Sequence, residues 1–421
     1  MKVFKFGGAS VSNLERINLV SNILHDHTAD KVLVVISAMG KTTNALEKVA
    51  EAYYSGNQDL ALSLFESIKQ QHLNVAKQLL VKLYNELYLQ LRDIFTEVEW
   101  LLHDNPVRGY DYYYDQIVCT GELMSTCIMS AYFNEVNIKN KWVDVRDILR
   151  TDAVFRDAVI DWNFSAAKVT SEILPLFNET NIVVTQGFIG STNENESTTL
   201  GREGSDYTAA LFANMLNAEG VTIWKDVEGV MNADPRLFPD ALFLEALNYD
   251  EVIEMAYYGA QVIHPKTIKP LQNKHIPLYV KCFLNKNLPG TVIGSKSLKE
   301  LPPIIVLKKN QVLLQFHTRD FSFADEQPMA QLLASMADLH IQANLLQTGA
   351  VRIEICVDDK ADKIEKLALS ASEIFDVQVE KNLTLLTIRH YREDLLKKLS
   401  EGKRIRLRQQ TPNTVQLLLN D

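Results

Sequence analysis

Nowhere does this 421-residue chain approach the about 18 consecutive apolar residues that a membrane-crossing helix needs. Its start, MKVFKFGG, enters a strand-like pattern at once instead of a charged and then apolar leader, so no secretion signal is expected. Cysteine is scarce. Cys119, Cys127, Cys282 and Cys356 are scattered, with neither zinc-ligand spacing nor a disulfide framework, and a cytoplasmic location with no membrane partner is the expectation. Positive charge is also short: 43 Lys and Arg against 53 Asp and Glu leave a formal net charge of −10. That balance argues against nucleic acid as the main partner, because phosphate backbones demand a basic face. The basic stretch at residues 397–408 (KKLSEGKRIRLR) is interrupted and reads as a solvated surface. Missing too are the Walker A spacing and the dinucleotide-binding fingerprint. The remainder is ordinary for a globular protein, 47% hydrophobic and 23% charged, and long enough for two or three domains with a sizeable core.

Through the first 300 residues strands alternate with helices. Residues 3–6 form a short apolar strand ending in Gly7-Gly8, and Ser12 with Glu15 predicts a capping box for a helix reaching about His25. Residues 31–37 (KVLVVIS) are a β-branched run suited to a strand buried on both faces, as are 181–186, with a third strand at 221–224. Residues 57–104 carry apolar side chains at helical spacing with no glycine or proline, which predicts two long helices. This alternation implies a mostly parallel sheet wrapped on both sides, whose ligands sit at the carboxyl ends of strands. Pro302-Pro303 marks a boundary between residues 1–300 and 301–421. Beyond it, strand 311–317, helix 328–339, strands 341–347 and 351–357, helix 360–374 and a strand from 376 make a βαββαβ unit over about 311–382. A second, shortened unit follows over 383–421, with helix 392–400, a hairpin at Thr411-Pro412-Asn413, and strand 304–308 completing its sheet.

Chemistry concentrates in TTLGREGSDYTAA, residues 198–210. A tight turn there places a guanidinium, a hydroxyl, a carboxylate and helix-start amides within six residues, a setting that attracts anions. Asp206 could equally cap that helix. Lys5-Phe6-Gly7-Gly8-Ala9-Ser10 sets a lysine beside a glycine pair whose amides can approach phosphate closely. The segment from Ser37 to Asn44 (SAMGKTTN) follows a strand, where its hydroxyls bind a ligand or cap the next helix. Glu122 opens a helix, complementing its dipole or meeting an amino group. Asp226 and Arg236, in the polar segment KDVEGVMNADPR, suit a nucleotide, or else form an ordinary turn. His264, before Pro265, reads as a structural residue.

Taken in order, KFGGAS, SAMGKTTN, GELMS, TQGFIG, TTLGREGSDYTAA, WKDVEGVMNADPR and GAQVIHPKT resemble aspartate kinase of the amino-acid kinase superfamily, across essentially the whole chain. The resemblance implies a three-layer αβα sandwich followed by α+β ferredoxin-like ACT units. It implies ATP-dependent phosphorylation of the L-aspartate side chain, with Mg2+ on the phosphates, no metal held by protein ligands alone, and a homodimer with a possible amino-acid effector at the ACT units. By the same analogy Lys5 neutralises developing charge, and Gly7, Gly8 and Ser10 line the phosphates. Arg202 clamps the α-carboxylate and Glu122 receives the α-amino group. Ser37, Thr43 and Ser205 add hydrogen bonds, and Asp206 orients the lysine or the phosphates. Lys225, Asp226, Met231, Arg236, Gln261 and Val262 surround the nucleotide. The chain departs from the family pattern at Ala9, Glu203, Lys225, Met231 and Gln261, so that one cation is lost at 261 and one gained at 225. Asn344 stands where lysine-sensitive relatives carry an aspartate, which disfavours lysine as effector. Two rival readings keep the fold: a kinase for another amino acid, carbamate or nucleoside monophosphate, or an amino-acid sensor without catalysis.

Overall fold

A computed structural model describes residues 1–260, 263–295, 300–320 and 322–420. Contacts divide them into two compact units. The first comprises residues 1–230 and 244–253 with the described part of 262–297; the second comprises 231–243 and the described parts of 254–261 and 298–421.

In the first unit β1 (Lys2–Phe6), β2 (Val32–Ile36), β3 (Asn140–Val143), β4 (Ile182–Gln186) and β7 (Gly220–Lys225) are five neighbouring strands of an eight-stranded sheet, with β3 at its edge. A small antiparallel pair, β5 (Ile189–Ser191) and β6 (Ser197–Thr199), stands apart from it. With β8 (Ala246–Asn248), β9 (Leu278–Cys282) and β10 (Thr291–Gly294) the order is β8-β10-β9-β7-β1-β2-β4-β3. Every pairing is parallel except β9 with β10. All five residues of β2 and of β4 are buried, as the β-branched runs require of strands covered on both faces. Helix α1 (Leu14–His25) is capped by Asn13, whose side chain accepts the Arg16 N–H at 2.9 Å. The expected Ser12 cap is displaced by one residue, since the Ser12 hydroxyl instead donates to the Ala9 carbonyl at 3.0 Å. After α2 (Thr42–Tyr54) come the two long helices predicted from periodicity, α3 (Gln58–Leu79) and α4 (Tyr84–His103), then α5 (Tyr110–Val118) and α6 (Thr120–Glu135). These helices share one apolar core with β1, β2 and β4. Helix α7 (Gly204–Leu216) rests on β1 and β7, and α8 (Pro265–Gln272) packs beside it.

The second unit is a six-stranded sheet with the order β12-β13-β11-β14-β16-β15. Its strands are β11 (Ile304–Thr318), β12 (Ala343–Thr348), β13 (Arg352–Asp358), β14 (Phe375–Arg389), β15 (Arg404–Gln410) and β16 (Thr414–Asn420). The stretches 304–308 and 311–317, read from sequence as separate strands, are one strand whose register shifts between Lys308 and Gln311. Asn310 takes a left-handed φ of 54° there, so the polar break Lys308-Lys309-Asn310 is a bulge rather than a loop. Helices α9 (Glu326–Asp338) and α10 (Ala361–Ala371) cover Val312, Leu314, Phe316, Ile353 and Ile355. Helix α11 (Glu393–Ser400) covers Leu386, Ile388 and Leu417. Long β11 and β14 thereby serve both α+β layouts, the fold expected of paired ACT units.

Candidate active site

The carboxyl ends of β1, β2, β4 and β7 and the start of α7 enclose a cavity of about 580 Å³. Strand alternation aims the two lysines: Lys5 pairs in register with Ile223, so Lys5, Ile223 and Lys225 share one sheet face. On that face Asp206, third residue of α7, lies 2.7 Å from Lys5 Nζ and 3.9 Å from Lys225 Nζ. Among the described residues no side chain caps α7, so the capping role open to Asp206 is not the one it takes. Burial pushes its carboxyl pKa up, but the ammoniums of Lys5 and Lys225 outweigh that and hold it below the usual range. Close backbone approach sets this geometry. A β-carbon on Gly187 would stand 2.5 Å from Ser205 Cβ, and one on Gly8 would stand 2.6 Å from the Ala38 carbonyl oxygen. Gly7 lies beside Lys5, where an added β-carbon would meet Nζ at 3.2 Å.

Glu122 enters the same cavity from the first turn of α6 and is 2% exposed. Its Oε1 accepts the Ala38 N–H at 3.2 Å, while Oε2 is buried with no hydrogen-bond partner among the described residues. Burial raises its pKa from 4.5 to about 8, against the Ala38 hydrogen bond and the more distant Lys5. An unpaired, desolvated carboxyl oxygen is a receptor for an ammonium group. Arg202 also lines the cavity, and its guanidinium is exposed and makes no ion pair among the described residues. Ser37, Thr43 and Ser205 complete the group. Lys5, Ser37, Thr43, Glu122, Arg202, Ser205, Asp206 and Lys225 therefore converge on one space.

Other expected residues do not line it. Ser10 is buried in the turn after β1, its amide bonded to the Gly7 carbonyl at 2.9 Å. Asp226 is exposed beyond the end of β7. Met231 and Arg236 belong to the second unit, where Arg236 is paired with Asp234 at 2.8 Å and 83% exposed. Gln261 and Val262 lie outside the described residues. His264 is structural as expected: it caps α8, its Nδ1 accepting the Lys266 N–H at 3.2 Å.

The cavity also has walls that sequence reasoning missed: Glu47, Tyr114, Arg156, Phe188 and Thr199. Arg156 has a left-handed φ of 70°, stacks its guanidinium 4.4 Å from the Tyr114 ring centroid and pairs with Asp111 at 3.0 Å. Below it, fully buried Asp115 accepts the Arg156 N–H (3.0 Å), the Thr199 N–H (2.8 Å) and the Thr199 hydroxyl (2.7 Å). Burial lifts its pKa to about 6 despite those donors. The tyrosine-rich YDYYYD of α5 was the available signal for this wall. Among the described residues no group of three or more His, Cys, Asp or Glu side chains is placed to hold a metal ion.

A lysine–carboxylate–lysine corner, a glycine turn and a helix start at the rim of a parallel sheet are the features of a phosphoryl-transfer site. A model described as the amino acid kinase family matches residues 1–282, and the chain belongs to that family. Over 413 residues it is 31% identical to lysine-sensitive aspartokinase 3 of Escherichia coli, covering 96% of this chain and 89% of that one. It is 33% identical to the chloroplastic aspartokinase 2 of Arabidopsis thaliana, covering 85% of this chain and 66% of the relative. The crystal structure of E. coli aspartokinase III with aspartate and ADP, in the R-state, matches with a TM-score of 0.83 at 29% identity, covering 100% of this chain and 96% of that one. The T-state structure of that enzyme with lysine and aspartate matches at 0.80, with 29% identity and coverage of 99% and 95%. Within the amino acid kinase family, the chain groups with the aspartokinases.

Glu122 also predicts a pH signature of the unliganded protein. Its carboxyl ionises at about 4.5 in the unfolded chain and at about 8 when folded, so folding takes up a proton between those values. The folded pKa is raised, and the stability linked to this group is lost as pH rises through that window. Glu122→Gln removes the loss: its thermal midpoint, relative to the unmutated protein, should climb steadily between about pH 4.5 and about pH 8. A flat difference across the window would show that Glu122 is ionised in the empty site.

Proposed function

We infer that the chain catalyses transfer of the γ-phosphoryl group of MgATP to the side-chain carboxylate of L-aspartate, giving 4-phospho-L-aspartate and ADP. The observation that carries this reading is a meeting of groups in one cavity. A buried Glu122 oxygen and an Arg202 fork, neither partnered among the described residues, face the Lys5–Asp206–Lys225 corner. The first two match the ammonium and α-carboxylate of an amino acid; the third matches phosphate.

The acceptor carboxylate is already ionised at neutral pH, so no general base is needed. One of its oxygens attacks the γ-phosphorus, the bond to the bridging oxygen of ADP breaks, and no proton is gained or lost. The difficulty is repulsion between two anions, which positioning and fixed cations overcome. Lys5 takes up the charge that develops on the transferring group, with Asp206 holding its ammonium in place. Arg202 and Glu122 fix the two ends of the amino-acid backbone, and Ser37, Thr43 and Ser205 supply further hydrogen bonds. Gly7 and Gly8, in the turn beside Lys5, belong with the phosphates. Magnesium belongs to the nucleotide, held on its phosphate oxygens. Lys225 stands in for the cation absent at Gln261 and faces the phosphates, with Asp226, next along the chain, assigned to the rest of the nucleotide.

The second unit has its own recess of about 510 Å³, lined by Ser322, Asp325, Gln327 and Gln331 among others. We assign it to an amino-acid effector. Asn344 is not part of that lining: its side chain is held by Lys308 at 2.8 Å, Gln311 at 2.7 Å and Asp358 at 2.8 Å. A thermal-shift screen with lysine, threonine and methionine identifies the effector by the ligand that raises the midpoint. Association into a homodimer and a cytoplasmic location belong to the same reading; four free, buried thiols suit a reducing compartment.

Trapping of the acyl phosphate with hydroxylamine tests the reaction. With MgATP, aspartate should yield hydroxamate where glutamate and carbamate do not; product from another acceptor alone, or from none, overturns the assignment. In the same assay Lys225→Ala should raise the Michaelis constant for ATP about tenfold, as for loss of one charge-assisted contact, and that for aspartate less than about twofold. Equal effects on both constants would remove Lys225 from the phosphates.

A further inference from the structure

Glu203 has no part in the chemistry above, yet it occupies the turn that carries Arg202. Its backbone is left-handed, φ 55° and ψ 27°, a conformation free to glycine and costly to a residue with a β-carbon. As N-cap of α7 it accepts the Asp206 and Tyr207 amides at 3.1 and 3.2 Å through its carbonyl, and its side chain caps nothing on that helix. The carboxylate reaches 61 residues along the chain instead: Oε2 accepts the backbone N–H of His264 at 2.9 Å, at the N-terminus of α8. A negative charge is favoured at that end of a helix. On the opposite flank Asp157 packs against the same turn, since a β-carbon on Gly201 would stand 2.7 Å from its Oδ1, and the carboxylate of Asp157 is paired with Lys266. The start of α8 is thus linked to both neighbours of Arg202, directly to Glu203 through His264 and to Gly201 by way of Lys266 and Asp157. Arg202, between Gly201 and Glu203, is exposed and makes no ion pair among the described residues, so the turn sets the point from which its side chain springs.

We propose that Glu203 is a positioning residue, its carboxylate latching the Arg202 turn to the start of α8 so that the guanidinium is preset for the acceptor's α-carboxylate. Glu203 stands in the cavity wall beside Arg202, and the latch acts through Arg202. It presupposes the acceptor site assigned above. Binding to a preset fork avoids ordering the loop at the moment of association, so the benefit falls on acceptor affinity rather than on the chemical step.

Steady-state kinetics of Glu203→Gly and Glu203→Gln, each with its thermal midpoint, separate this role from a structural one. Glycine removes the latch but relieves the left-handed backbone. Its variant should keep or raise the midpoint while the Michaelis constant for aspartate rises about fivefold to twentyfold and that for ATP changes less than about twofold. Glutamine, whose amide oxygen accepts the same N–H, should restore aspartate affinity to within about threefold of the unmutated protein. An aspartate constant unchanged in Glu203→Gly, or a parallel loss for both substrates tracking a lowered midpoint, overturns the proposal. Hydroxamate formation by the unmutated protein is measured first. If another acceptor gives the product, the assignment of aspartate fails, and the latch is judged on that acceptor's Michaelis constant by the same criteria.

Discussion

Asp206 carries two ammonium groups at once, with Lys5 Nζ at 2.7 Å and Lys225 Nζ at 3.9 Å, and the rim of the sheet is arranged around that triad. Two lysines brought side by side on one sheet face repel each other. A buried carboxylate between them offsets that repulsion. Such a cluster adds little to stability, because desolvating the ions offsets much of their attraction. Its value is a positive corner fixed before any anion arrives, so that little reorganisation is left for the moment of transfer.

Three buried carboxyl groups around the cavity show how partners, rather than burial, decide charge. Asp206 is 3% exposed, has two cations, and stays below the usual carboxylate range. Asp115 is fully buried with three neutral donors and rises to about 6. Glu122 is 2% exposed, with only the backbone amides of Ala38 and of its own residue to offset burial locally among the described residues, and rises to about 8. The order follows the number and charge of the groups each accepts from. Their roles differ in the same order. Asp206 holds the lysines, Asp115 ties Thr199 to the Arg156 backbone and so shapes a wall, and Glu122 keeps one buried oxygen without a hydrogen-bond partner among the described residues. The dense packing that brings them together rests on small residues, since even one added carbon at Gly187 or Gly8 would collide with a neighbouring segment.

The sheet, the long helix pair at 58–79 and 84–103 and the cavity residues Lys5, Glu122, Arg202 and Asp206 were legible because their signals are local. Each depends on a periodicity or on a polar residue placed where a strand ends or a helix begins. What escaped depends on distant partners or on backbone geometry. Nothing near Glu203 announces His264, and nothing in VFRDA announces that Arg156 takes a left-handed turn above Asp115. The cap of α1 moved from Ser12 to Asn13 because neighbouring polar residues compete for the same amides and only the final chain direction decides. In β11 the run Lys308-Lys309-Asn310 reads as a loop, yet pairing with β14 on both sides carries the strand through it as a bulge.

A double-mutant cycle between Lys5 and Asp206 tests the central claim most directly, with kcat/KM for phosphoryl transfer as the readout and Lys5→Met and Asp206→Asn as the substitutions. If the pair acts as one unit, each single change should cost nearly as much as both together, and the double variant should be far less impaired than the product of the two losses. Losses that simply multiply would mean that the two side chains act independently, contradicting the account of a single preset centre.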